Sequence, residues 1–256
     1  VEDVGSAVTC FRPGDLVTGV LSTCIADYNV AANAQMIKIP ETSKPIDACL
    51  GEPMMCVANI VRAVEPKMGD RVAVIGCGFM GLMVIAGLKS RALGDIVAID
   101  LDEKRLEMAV QYGATKTINP KNVDVEDVSF ELTHGRMYDC IVEITGSLRG
   151  LQTALSVAKI SGRGKILAPS VYSKNETWTE EMAYNMMYRS PIIHVVHPYY
   201  TNEYMHTLEI GVEAYVKGVF PTEELITHRI PFERVDEGFR LLDTNPPGYI
   251  KGIITF

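Results

Sequence analysis

Residues 71–105 read RVAVIGCGFMGLMVIAGLKSRALGDIVAIDLDEKR, and the fold can be inferred outward from this stretch. The apolar run over 72–75 predicts a buried parallel strand, because strands covered on both faces have nearly continuous hydrophobic sequences. It is followed by Gly76-Cys77-Gly78-Phe79-Met80-Gly81, a G-x-G-x-x-G pattern, and then by an apolar helix over 82–88. A second buried strand, 96–99, ends in Asp100. This order predicts the first unit of a doubly wound α/β sheet.

Each glycine of the pattern has a physical role in binding a dinucleotide. Gly76 permits the tight turn, Gly78 lets a pyrophosphate approach the backbone, and Gly81 lets the helix pack close to the strand. The helix N-terminus offers unpaired N–H groups and a positive dipole end to the phosphates. Asp100 follows Gly81 at about the 20-residue distance of the acid that accepts the adenosine ribose hydroxyls. Since its charge would repel a 2′-phosphate, NAD is predicted rather than NADP.

A plainer interpretation of the same residues stays open. The glycines could form a turn in an unrelated parallel sheet. Asp100 would then only cap the helix that is predicted to begin near Asp102.

Length and composition exclude several classes of protein. A chain of 256 residues, 47% hydrophobic and 22% charged, is typical of a globular protein of one or two domains. The net charge of −8 argues against nucleic-acid binding. No apolar run reaches the roughly 18 residues of a membrane span. The scattered cysteines form no C-x-x-C pair, which favours reduced thiols in a cytoplasmic protein.

Strand and helix patterns alternate through the middle of the chain and complete a sheet of six strands. Four more strands are predicted over 115–118, 138–145, 165–168 and 192–196. The helices between them are predicted over 102–113, 123–133, 147–160 and, from a capping box over 177–180, up to 188. The flanking regions predict short strands at 16–17, 25–30, 36–40 and 250–256, with helices over 52–64, 203–217 and 232–242.

Motifs along the whole chain resemble those of the medium-chain dehydrogenase/reductase family, the zinc-type alcohol dehydrogenases. The residues that carry the likeness are Val4-Gly5-Ser6-Ala7-Val8, Phe11-x-Pro13-Gly14-Asp15, Gly51-Glu52-Pro53, Gly69-Asp70-Arg71-Val72, Gly113-Ala114, Leu225-Ile226-Thr227-His228, Pro231-Phe232 and Glu237-Gly238-Phe239. The resemblance implies a Rossmann NAD-binding domain over 64–197. It also implies that 1–63 and 198–256 form one GroES-like catalytic domain, incomplete at its N-terminal end.

The resemblance also implies an activity. Members interconvert an alcohol and its carbonyl by hydride transfer to or from NAD, usually with zinc as a Lewis acid. Glu52-Pro53 is most similar to the sorbitol and threonine dehydrogenase branch, in which this glutamate approaches the catalytic zinc. A small alcohol, polyol or amino alcohol is therefore the expected substrate class. The predicted edge strand 192–196 would pair between subunits, so a homodimer or homotetramer is expected.

The family's cofactor contacts transfer to particular positions. Phe79 and Met80 would offer backbone N–H groups to the pyrophosphate, and Asp100 would bind the adenosine ribose with Arg105 nearby. The remaining positions are Ile144, Thr145 and Ser170 on the nicotinamide side, and Lys251 as a pyrophosphate-binding cation.

The zinc ligands of the family are only partly represented. Members usually carry a cysteine and a G-H-E segment upstream of the stretch that matches Val4-Gly5, and catalytic zinc needs three protein ligands, of which Glu52 would be one. Only Cys24 stands where members have a four-cysteine lobe, so no structural zinc is expected. The favoured expectation is a longer zinc enzyme whose other ligands precede residue 1. The alternatives are a zinc-free carbonyl reductase and a nucleotide-binding relative without catalysis.

Three further side chains carry open alternatives. His194 and His197 lie at the end of the sixth predicted strand, where doubly wound sheets bind ligands. Either could carry a proton or replace a ligand, or be a hydrogen-bonded histidine near a domain junction. Glu143 could be a base, or its carboxylate could bond at the strand end.

Overall fold

The computed structural model describes residues 1–21, 25–160, 164–197 and 203–256. The chain divides into two compact units, one formed by Val1–Ala58 with Pro198–Phe256 and the other by Asn59–His197. The described strands are β1 Val17–Gly19, β2 Met36–Lys38, β3 Arg71–Ile75, β4 Asp95–Ile99, β5 Lys116–Ile118, β6 Cys140–Glu143, β7 Lys165–Leu167, β8 Ile192–His194, β9 His228–Pro231 and β10 Gly252–Thr255. The described α-helices are α1 Gly51–Val64, α2 Phe79–Leu88, α3 Glu103–Tyr112, α4 Val125–Leu132, α5 Leu148–Val157, α6 Glu180–Arg189, α7 Tyr204–Val216, α8 Thr222–Leu225 and α9 Val235–Thr244.

The unit 59–197 is built on a six-stranded sheet in the order β5-β4-β3-β6-β7-β8. Every neighbouring pair in it is parallel. The order reverses between β3 and β6, which is the arrangement of a dinucleotide-binding sheet. The predicted α/β class and the six-stranded Rossmann sheet are therefore confirmed.

The core of this unit follows from the apolar strands. Residues 72–75 of β3 and 96–99 of β4 are at most 4% exposed, because helices cover the faces of a parallel sheet. Helix α2 is buried nearly all round, as its continuous apolar sequence requires. Tyr138 is fully buried and satisfies its hydroxyl by donating to Ser129.

The helix ends predicted from the sequence agree with the structure at three positions and differ at one. Asp102 and Ser147 cap α3 and α5 as predicted, and Gly113 ends α3. The predicted capping box over 177–180 is wrong. The cap of α6 is Thr179, which accepts from the Met182 N–H at 3.1 Å. Glu180 is the first residue of the helix, so its side chain cannot reach back over a full turn.

The described residues of the other unit form two small sheets. β1 pairs antiparallel with β2, and β10 pairs parallel with β9. Short 3₁₀ turns lie at Asn33–Gln35, Ile46–Ala48 and Phe232–Arg234. Helix α7 packs closely on the first turn of α1, since a Cβ on Gly211 would lie 2.7 Å from the Met54 backbone.

The predicted strand over 25–30 is wrong. Ile25 has a φ of +56°, which no strand accommodates. Tyr28 is 78% exposed and Val30 is 96% exposed, so the apolar side chains have no core face to join. The alternating pattern therefore lacked the tertiary partner that makes a strand.

None of the described helices is both long enough and apolar enough to cross a membrane.

Candidate dinucleotide-binding site

The turn between β3 and α2 is shaped by two glycines that have no room for a side chain. Gly76 has a φ of +99°, and a Cβ there would lie 3.0 Å from the Thr145 methyl carbon. A Cβ on Gly81 would lie 1.9 Å from the Gly76 carbonyl oxygen. The helix can therefore approach the strand end only because residue 81 lacks a side chain.

Gly78 differs from these two glycines because the space above it is open. A Cβ built on Gly78 would meet no atom within 4 Å, and the backbone is extended at φ −75° and ψ −168°. Gly78 is the N-cap of α2 and provides no side-chain hydrogen bond. By contrast, α3, α4, α5 and α6 are each capped by a side chain. An external anion can therefore approach the backbone at the start of α2.

Phe79 and Met80 occupy the first two positions of α2. The Phe79 side chain is 8% exposed and that of Met80 is half-buried. Their side chains therefore belong largely to the protein interior, and what they can offer a ligand is the backbone.

Asp100 at the end of β4 is held against the glycine turn. Its Oδ2 accepts from the Cys77 N–H at 2.6 Å, and its Oδ1 accepts from the Asp102 N–H at 2.9 Å. A carboxylate has about four acceptor positions, so capacity for ligand hydroxyls remains. The half-buried side chain is oriented by two backbone donors before any ligand arrives.

Arg105 lies in the first turn of α3, where its backbone N–H donates to Asp102 at 3.3 Å. Its charge acts on the glycine turn: burial, followed by the charge of Asp100, raises the pKa of the Cys77 thiol, and Arg105 opposes that shift. A buried thiol with a raised pKa is not a reactive nucleophile. Cys77 is thus a packing residue, and Asp100 and Arg105 supply the charges near the turn.

The loops that follow β6 and β7 meet beside the same turn. The backbone carbon of Ile144 and the methyl carbon of Thr145 bound the space over Gly76, at 3.2 and 3.0 Å from its notional Cβ. A Cβ on Gly146 would lie 3.4 Å from the Val171 carbonyl oxygen and 4.0 Å from the Ser170 Cβ. The folded chain thereby brings Ile144, Thr145 and Ser170 to the carboxyl edge of the sheet.

One contact in this region, between Glu143 and Tyr172, could not be predicted from the sequence. Glu143 is fully buried and accepts from the Tyr172 hydroxyl at 2.5 Å. Glu143 was a candidate at the strand end, but nothing in the sequence singles out Tyr172, which lies in an irregular loop. Burial, followed by the hydrogen bond to Glu143 and then by the charge of Glu143, raises the pKa of Tyr172, so its hydroxyl stays protonated and donates.

Of the two candidate histidines, His194 lies away from the glycine turn. His194 ends β8, the outermost strand, and its side chain is exposed. Three strand spacings separate β8 from β3, which is roughly 14 Å across the sheet. His197 is half-buried three residues further on. His194 is therefore not part of the cluster formed by the glycine turn, Asp100 and the 144–146 loop.

Glu52 and Lys251 belong to the other unit. Glu52 accepts from the Cys56 thiol at 3.1 Å, one helical turn later in α1. Burial lowers the pKa of Lys251, and the charge of Glu52 opposes that shift. Within the described residues, no three His, Cys, Asp or Glu side chains are grouped so that they could hold a metal ion. Cys24 lies outside the described residues, and the described side chains do not by themselves fit a zinc site.

The chain is similar to known dehydrogenases. The sequence profile described as zinc-binding dehydrogenase matches residues 80–205. L-threonine 3-dehydrogenase of Bacillus licheniformis is 30% identical over 232 residues, which cover 89% of this chain and 64% of that protein. Sorbitol dehydrogenase of Bacillus subtilis is 28% identical over 266 residues, which cover 93% of this chain and 73% of that protein.

A solved structure shows the same fold. Alcohol dehydrogenase TADH from Thermus sp. ATN1 matches with a TM-score of 0.79 at 20% identity, over 99% of this chain and 82% of that one. The chain spans about two thirds or less of the length of several curated relatives, with 64% for the B. licheniformis enzyme and 63% for L-threonine 3-dehydrogenase of B. subtilis.

Proposed function

This chain belongs to the zinc-binding dehydrogenase family, and from that premise we propose that it is an NAD-dependent oxidoreductase acting on a small alcohol or its carbonyl. The observation that carries the proposal is the open backbone at Gly78, at the N-terminus of α2 and beside Asp100. A glycine with free space above it, between two glycines that have none, suits the approach of a pyrophosphate.

In the unit 59–197, the two nucleotides of the proposed cofactor would lie at opposite halves of the sheet. Backbone N–H groups of Phe79 and Met80 would bind the pyrophosphate, and Asp100, with Arg105 nearby, would bind the adenosine ribose. Because a dinucleotide crosses the sheet where the strand order reverses, the loops after β6 and β7 receive the second nucleotide. Ile144, Thr145 and Ser170 would then flank the nicotinamide. Bound nicotinamide supplies the hydride chemistry, which the side chains of this chain cannot perform.

The charge at residue 100 supports NAD over NADP. A carboxylate accepts hydrogen bonds from two ribose hydroxyls, whereas a 2′-phosphate would place like charges together. Lys251 is proposed as a further cation for the pyrophosphate, on the strength of its position in the family alone.

The proposed substrate class is a small polyol or amino alcohol. Its support is the Glu52-Pro53 match, together with relatives named for threonine and sorbitol. The described residues do not by themselves fit a zinc site, so the proposed reaction has no step that these residues carry through a metal.

Titration of the purified protein with NADH tests the cofactor proposal. We expect saturable binding, seen as quenching of tryptophan fluorescence or as energy transfer from tryptophan to the nicotinamide. NADPH should bind at least about tenfold more weakly than NADH because of the charge at Asp100. Absence of saturable NADH binding by a folded protein would exclude an NAD-dependent reaction.

We also propose that the protein forms a homodimer, or a dimer of dimers, through β8. This strand ends the described order of the sheet, and Ile192 and Ile193 are 49% and 38% exposed. An open, apolar edge strand favours pairing with another copy. Light scattering should give a multiple of the monomer mass, and Ile193→Lys should shift it toward the monomer. A wild-type monomer at micromolar concentration would contradict this proposal.

A further inference from the structure

We propose that Glu143 is a positioning residue for the nicotinamide half of the cofactor site. This inference rests on the proposed function. Glu143 does not touch the space over Gly78; it connects the segments that would surround the second nucleotide. Its side chain is fully buried at the end of β6, opposite Ile75, the last residue before the glycine turn.

Both carboxyl oxygens of Glu143 are used to hold other loops. Oε1 accepts from the Thr145 N–H at 2.8 Å and from the Thr145 hydroxyl at 2.5 Å. Oε2 accepts from the Tyr172 hydroxyl at 2.5 Å. A buried carboxyl requires such donors, since an unsatisfied oxygen in the interior is costly. One side chain thus binds the loop after β6 to the loop after β7.

The carboxyl is enclosed from above by helix α5. A Cβ on Gly150 would lie 2.5 Å from Glu143 Oε1 and 2.3 Å from the Thr145 hydroxyl oxygen. No side chain larger than that of glycine fits there without displacing this bonded group. The close packing limits the positions that Thr145 can adopt.

Thr145 transmits this constraint to the glycine turn. Its methyl carbon lies against Gly76, while its hydroxyl and amide are held by Glu143. The hydroxyl of Thr145 also accepts from the Ser147 N–H at 3.1 Å, next to the start of α5. Glu143 therefore fixes both the segment that packs against Gly76 and the proposed nicotinamide side of the site.

A second contact joins the same two loops at the surface. Glu176 accepts from the Leu148 N–H at 3.0 Å and from the Ser147 hydroxyl at 3.3 Å. Between Tyr172 and Glu176 the loop after β7 is therefore attached twice to the loop after β6. The buried contact, from Tyr172 to Glu143, lies at the end of β6, on the side of the loops that carries Ser170 and Gly146.

The test compares NADH with ADP-ribose, which has the same adenosine and pyrophosphate but lacks nicotinamide. We expect Glu143→Gln to weaken NADH binding about tenfold, since its single carbonyl oxygen can accept from Thr145 or from Tyr172 but not from both, and to leave ADP-ribose binding within about twofold. Tyr172→Phe should do the same, because it removes one donor and keeps the carboxyl. The matched control is Glu131→Gln, an exposed glutamate of α4, which should change neither affinity.

The outcomes separate this inference from the proposed function. The positioning role would be overturned if the ratio of NADH to ADP-ribose affinity is unchanged in both variants. This holds whether neither affinity changes or both fall equally in folded protein. If Glu143→Gln does not fold, Tyr172→Phe decides by the same ratio. A wild-type protein that binds neither ligand would instead overturn the proposed function.

Discussion

Replacing Gly81 with alanine is expected to weaken NADH binding by about 100-fold or more and to destabilise the fold by about 1–3 kcal/mol. The added methyl group would lie 1.9 Å from the Gly76 carbonyl oxygen, so the turn or the helix must move. Movement of either displaces the amides at the start of α2, which are the proposed pyrophosphate ligands. Calorimetry with NADH and a thermal melt measure the two effects.

Gly78→Ala is the informative comparison, because the two effects should separate. A Cβ at Gly78 meets no protein atom and the backbone is in the extended region, so stability should be unchanged or rise by about 0.4–1 kcal/mol. NADH binding should still fall by about tenfold or more, since the methyl group occupies the space proposed for the phosphates. Gly5→Ala, at another open position, should alter neither quantity. Normal NADH affinity in both Gly78→Ala and Gly81→Ala would refute the proposed cofactor position.

Asp100→Ser is expected to weaken NAD binding about 10- to 100-fold and to leave NADP binding unchanged or improved. The carboxylate would bond the ribose hydroxyls, and a hydrogen bond to a charged group contributes about 1.5–3 kcal/mol. Its loss also removes the repulsion of a 2′-phosphate. The ratio of the two dissociation constants is the measurement, because it cancels any general weakening from the lost Cys77 contact.

Asp102→Ser is the control, because it removes the same charge two residues away from Asp100. Asp102 caps α3 through Lys104 and Arg105 N–H groups, and serine is an equally good cap. Helix α3 should therefore persist, and the NAD to NADP ratio should stay near that of the wild type. An unchanged ratio in Asp100→Ser, or an equal change in Asp102→Ser, would count against the ribose assignment.

Much of the nucleotide unit could be predicted from the sequence, because its signals are local. The apolar runs of β3 and β4 need only neighbours in the chain to be recognised as buried strands, and the three glycines report their steric roles by their spacing. The cap at Asp102 is of the same kind, since its partners lie two and three residues away. The strand at 25–30 was wrong because its apolar side chains had no core to join, and the cap at Thr177 was wrong because Thr179 caps the helix two residues later.

The sequence by itself determined the six-stranded α/β sheet, the glycine turn and the acid at the end of the second strand. Only the tertiary structure decided that Gly78 alone among the three glycines has open space above it, and that His194 lies on the outer strand. It also decided that Glu143 and Tyr172, 29 residues apart, share a buried hydrogen bond. The reason is physical: steric and periodic preferences act between chain neighbours, whereas contacts between loops depend on the order in which the strands are packed.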